Sequence, residues 1–79
     1  MKDFHGTPLE VGDVVTFYDG HPYGFRVGQI ISMKKMIMIE LRGHYSNFRK
    51  ENRQVIKSSA EYQIKYKLGF VYEDGEWVK

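Results

Sequence analysis

The apolar residues of this chain fall in short runs, several of them alternating with polar ones, and turn residues punctuate the whole length. Val14-Val15-Thr16-Phe17-Tyr18 is rich in β-branched and aromatic residues and is closed by Asp19-Gly20, which predicts a first strand over 14–18. Val15 and Phe17 lie two apart and share one strand face. His21-Pro22-Tyr23-Gly24 continues as a loop, since Pro22 has no N–H for a central ladder. A second strand is predicted from about Val27 to Met33, a polar break at Lys34-Lys35, and a third strand from Met36 to Leu41. The unbroken apolar run Met36-Ile37-Met38-Ile39 predicts a strand covered on both faces, or one lying under the C-terminal extension. Residues 42–53 form the longest polar stretch and read as a loop, with a fourth short strand at Gln54-Val55-Ile56-Lys57.

The tail carries two patterns. Ser58-Ser59-Ala60-Glu61 matches a capping box, and Ala60, Ile64 and Leu68 could line a helix that Gly69 ends. Against it, Tyr62, Ile64, Tyr66, Leu68 and Phe70 alternate with Gln63, Lys65, Lys67 and Gly69. The period-2 pattern over nine residues favours a single 3₁₀ turn at 58–61 followed by a fifth strand. Asp74-Gly75 between Phe70-Val71-Tyr72 and Trp77-Val78 predicts a terminal β-hairpin.

With 79 residues there is room for one domain, 1–79, and one core. A chain of this size buries only about 60% of its unfolded surface, so its stability is marginal. It has no cysteine, hence neither a disulfide nor a thiolate ligand. No apolar run follows Lys2 as in a signal peptide, and none approaches the length of a membrane span, so a cytoplasmic protein with no membrane partner is expected. The net charge of +2 is unevenly spread. Residues 1–25 carry −3, residues 26–67 carry +7 from ten Lys or Arg against three Glu, and residues 68–79 carry −2. A basic middle between acidic ends suggests a positive face.

Gly12-Asp13-Val14-Val15-Thr16-Phe17-Tyr18-Asp19-Gly20, with Gly24, Gly28 and Ile30 after it, resembles the KOW motif of small SH3-like barrels, found in NusG-type elongation factors and in ribosomal proteins. The resemblance covers about residues 10–64. It implies an all-β fold: a five-stranded SH3-like barrel over 10–68, with the hairpin at 69–79 as an extension. Gly28 would remove a side chain where a strongly bent strand crosses its neighbour. In such barrels the first loop often lies beside the loop after the third strand, which would bring two distant stretches of this chain to one rim.

No nucleophile elbow, phosphate-cradling loop or zinc-protease motif is present, and His5, His21 and His44 lie in separate segments. A non-enzymatic binding module without cofactor or metal is therefore expected. The stronger signal is the interleaving of rings and cations. Arg42, His44, Tyr45, Phe48, Arg49, Lys50 and Arg53 follow one another through the polar stretch, with Lys57 on the next strand, and the first loop offers a second patch with Tyr23 and Arg26. Arg and Lys neutralise phosphates and exposed rings stack on unpaired bases, so RNA or DNA is the expected partner. Alternatively Tyr45 and Phe48 fold under to anchor the loop, and Tyr18 and Phe25 join the core. Lys34 and Lys35 read as a solvated turn. A rival reading is a protein-binding module or regulator docking on a larger transcription or translation assembly, through a strand edge or the aromatic tail.

Overall fold

The computed structural model describes residues 1–43 and 47–79. Among the described residues are seven strands and one short helix: β1 (Val14–Tyr18), β2 (Phe25–Met33), β3 (Ile37–Glu40), β4 (Asn47–Lys50), β5 (Val55–Lys57), α1 (Ala60–Lys67), β6 (Val71–Glu73) and β7 (Glu76–Val78). A 3₁₀ turn at Asn52–Gln54 joins β4 to β5. The first five strands make one antiparallel sheet in the order β4-β3-β2-β1-β5, and β6 and β7 pair as a separate hairpin. The ladder is not closed into a barrel: β4 and β5 are its two edges.

Alternation divides the sheet into an inner and an outer face. On the inner face Val15, Phe17, Ile30, Ile37, Ile39 and Val55 are essentially excluded from solvent, and Leu9 and Leu41 complete the cluster. Each such side chain contributes about 1.5–3 kcal/mol on burial. Gly28 is needed there. A Cβ at this position would lie 2.6 Å from Ile39 Cγ2 and 2.8 Å from the Glu40 carbonyl oxygen, so β3 can cross close to β2 only over a bare backbone. A register shift between Ile30 and Ser32 adds to the bend. On the outer face Val14 and Val27 are buried under Tyr66, with Tyr62, Tyr72 and Trp77 packed around them.

The tail differs from the strand expected at 62–70: residues 60–67 are helical. The Ser59 side chain caps the helix by accepting from the Tyr62 N–H at 3.3 Å. Gly69, at φ +100°, ends it with a bond from its own N–H to the Tyr66 carbonyl, and the Phe70 N–H reaches the Lys65 carbonyl. The deciding residue is Gln63, which alternation would turn outward. Its side-chain amide accepts from the Val14 N–H at 2.9 Å and donates to the Val14 carbonyl at 2.7 Å, closing the β1 backbone as a neighbouring strand would. Tyr66, one turn on, then covers Val14 and Val27, while Ile64 and Leu68 stay exposed.

The stretch at 42–53, expected to be a loop, contains β4 and the 3₁₀ turn, and the turn expected at 58–61 is absent. β4 is hard to read because its alternation is carried by charged residues. Phe48 packs inward while Arg49 points out, and the half-buried Lys50 sets its ammonium 5.4 Å from the Phe17 ring centroid. The third strand is not covered on both faces either: Ile37 and Ile39 are buried, but Met36 is exposed and Met38 half-buried. The terminal hairpin forms at the expected turn, with Tyr72 opposite Trp77 and Asp74 and Gly75 both at positive φ.

The N-terminal segment protects one edge of the sheet. Phe4 donates to the Val55 carbonyl, and the Asp3 carboxylate accepts the Lys57 N–H at 2.7 Å, standing in for a strand carbonyl on β5. The same carboxylate accepts from His5 and Thr7.

Candidate functional site

Two stretches far apart in the chain do meet. The loop after β1 delivers Tyr23, the start of β2 delivers Arg26, and β4 delivers Phe48. The Arg26 guanidinium carbon lies 4.8 Å from the Tyr23 ring centroid and 5.8 Å from that of Phe48, and its Nε is 2.8 Å from Asp19 Oδ2. Both members of that ion pair are largely buried, at 18% and 19% side-chain exposure. Phe48 itself leans on Phe17, with centroids 5.5 Å apart. This cluster therefore holds the open end of the sheet together: its cation already has a carboxylate and two rings, and one of its rings faces inward.

Several of the other expected cations are likewise engaged. Arg42 donates to the carbonyls of Tyr66 and Phe70 and lies 4.1 Å from the Tyr66 ring centroid, which fastens the C-terminal end of α1 to the sheet. Tyr66 is pushed above its ordinary 10.0 by burial, with Glu40 adding to the rise and Arg42 opposing it. Arg53 pairs with Glu51 at 2.6 Å and Lys57 with Asp13 at 3.5 Å. Asp19 and Asp13 of the acidic N-terminal region thus pair with Arg26 and Lys57 of the basic middle, while Arg53 and Glu51 pair within it. His44 and Tyr45 lie outside the described residues.

What remains is elsewhere. At the β2–β3 tip, Lys34 and Lys35 face Arg49 across an open groove of about 620 Å³, whose remaining lining is Ser32, Met36 and Met38. The register explains the convergence. Ser32 is opposite Met38, and Met38 is opposite Arg49, so the three lie side by side on the outer face, and the tip adds the lysines. None of the three cations makes an ion pair among the described residues, and no described carboxylate lines the groove. Lys34, Lys35 and Arg49 are all exposed. Lys34 and Lys35 belong with Arg49 only because β4 exists; with 42–53 read as a loop, nothing in the sequence joins them.

A second hollow of about 450 Å³ separates Pro22, Tyr23 and Arg26 from Tyr72, Glu73 and Asp74. Its two carboxylates make it a poor seat for phosphate. Beside it, Tyr18 and Phe25 contact edge to face with centroids 5.3 Å apart and are 56% and 63% exposed, so neither joins the core. Among the described residues no cluster of three or more His, Cys, Asp or Glu could hold a metal ion, and no helix is long and apolar enough to cross a membrane.

The chain belongs to the family described as a domain of unknown function (DUF7205), which matches residues 1–58. No curated protein and no solved structure matches it. The matched segment holds the N-terminal clasp and all five strands of the sheet, groove included, and ends just before α1.

Proposed function

We propose that this DUF7205 chain is a nucleic-acid-binding module of SH3-like, KOW-related design, acting through phosphate contacts at the β2–β3 tip. The observation that carries the reading is the groove between Lys34, Lys35 and Arg49, where three exposed cations converge without a carboxylate among the described residues. Like charges held together in this way are stabilised by an anionic ligand, and a polyphosphate is the strongest candidate. The SH3-like reading draws support from the strand order β4-β3-β2-β1-β5, from the one-turn 3₁₀ element between β4 and β5, and from the Gly12–Gly28 pattern. Of the residues first expected to bind, Arg49 stays central, whereas Lys50 turns to the inner face against Phe17. Arg26, Arg42, Arg53 and Lys57 are assigned to the fold. The decisive experiment is a mobility shift with mixed RNA and DNA at low salt. Complexes that weaken steeply as salt rises support the reading, and the absence of any complex rejects it.

A second reading, docking on a protein assembly, rests on the exposed rings of Tyr18, Tyr23 and Phe25 at the other end of β2. It predicts that the double variant Tyr18→Ala/Phe25→Ala loses a partner that Arg49→Gln retains, measured by co-purification after nuclease treatment.

A further inference from the structure

We infer that the ligand of the tip groove is the outer surface of a nucleic-acid duplex, gripped through its phosphates and without base readout; this rests on the nucleic-acid reading above. The inference follows from which side chains the groove has and which it lacks. A site for single strands sets rings beside its cations, because successive bases must stack on something. Here rings and cations are segregated. Among the described residues the groove holds three cations, two thioethers and one hydroxyl, with no ring in its lining. The exposed rings Tyr18, Tyr23 and Phe25 lie at the far end of β2, eight residues from Met33, a length of roughly 25 Å along the strand at about 3.3 Å per residue. Phe48, on the same strand as Arg49, is turned to the inner face against Phe17.

A duplex presents the complementary surface. Its bases are stacked inside and its charge faces outward, so a ringless cationic groove meets phosphate and sugar alone. Neighbouring strands lie about 4.8 Å apart, so the row Ser32–Met38–Arg49 spans roughly 10 Å, enough to bridge consecutive phosphates while the lysines of the tip reach past it. Met36, 41% exposed, and Met38 offer adaptable apolar contact to the sugars. The described lining has no side-chain amide to read adenine, and only one arginine beside lysines and thioethers.

The test is fluorescence anisotropy of the full chain with a labelled DNA duplex, the RNA duplex of the same sequence, and each single strand, titrated between about 50 and 200 mM salt. The expected result is tighter binding to duplex than to either strand, indifference to duplex sequence, and a log–log salt slope of about −2.7 for three phosphate contacts on DNA. Lys34→Gln, Lys35→Gln and Arg49→Gln should each reduce the steepness by about 0.9, while Lys67→Gln on α1 leaves it unchanged. The RNA and DNA arms tell which duplex supplies the phosphates. Single strands binding as tightly as the duplex would overturn this inference and leave the nucleic-acid reading standing. Duplex binding that survives the triple variant would also overturn it, by placing the contact elsewhere. Failure of every probe to bind at low salt removes both. The substituted residues are exposed, and an unchanged melting temperature confirms that each variant is folded.

Discussion

The two ends of β2 hold similar residue types in opposite circumstances. At one end Arg26 is sandwiched by Tyr23 and Phe48 and ion-paired to Asp19, with most of its side chain out of solvent. At the other, Lys34, Lys35 and Arg49 surround an open groove without a carboxylate among its described lining. A cation that has a buried partner has already spent its attraction on the fold, and a phosphate would have to compete with that partner. A cation held near others of its own sign gains from any anion that arrives. Aromatic residues beside arginine therefore mark the end of this sheet whose cation is already partnered, and plain lysines at a turn mark the end where the proposed binding would occur.

The strand that joins the two ends is the place where a single substitution costs most. Gly28→Ala should cost about 3 kcal/mol, because its Cβ would collide with the Glu40 backbone as well as the Ile39 side chain. Chemical denaturation that leaves the midpoint in place would show that β2 and β3 can separate freely. The next effect lies at the clasp. Burial alone would raise the Asp3 carboxyl, but N–H groups of Lys57, Thr7 and His5 outweigh it and hold it below its ordinary 3.8. Its contribution is therefore complete above about pH 4 and is lost as pH falls from there through the depressed folded value. Asp3→Asn should cost about 2 kcal/mol at neutral pH and flatten the loss of stability below pH 4, as read from urea midpoints across that range.

Smaller effects sharpen the contrast between the ends. Arg26→Met should cost about 1–2 kcal/mol by stranding Asp19, with little change in the salt dependence of nucleic-acid binding. Arg49→Gln should do the reverse, staying within about 0.5 kcal/mol of the parent in stability while weakening binding. Equal behaviour of the two variants in both measurements would erase the distinction. The smallest effect is expected at the exposed pair Arg53–Glu51, where Arg53→Gln should shift stability by less than about 1 kcal/mol, an amount that fades with added salt.

How much was legible follows from which signals are local. The first strand, its end before Asp19-Gly20 and the terminal hairpin rest on neighbours in sequence, and they stand where the pattern places them. The helix at 60–67 carried both of its boundary signals, Ser59 and Gly69, yet the alternation of Tyr62, Ile64, Tyr66 and Leu68 pointed to a strand. The contest was settled by Gln63 bonding a backbone about fifty residues away and by Tyr66 covering Val14, neither of which a local pattern records. β4 was hidden for a related reason: a strand whose inward positions are Phe48 and a lysine stem looks polar until its partner is known. Asp3 and Leu9 gave no signal at all, since an N-terminal carboxylate acquires its role only when the β5 edge stands beside it.

By itself, the chain of residues determined the β character, the positions of most turns and the pool of cations and rings, because these depend on side-chain chemistry and short-range backbone geometry. The tertiary structure alone decided which cations are partnered and which face solvent together. Charge pairing depends on distance in space, and antiparallel registers bring Asp19 to Arg26, Asp13 to Lys57, and Arg49 to the lysines of a turn that precedes it by some fourteen residues.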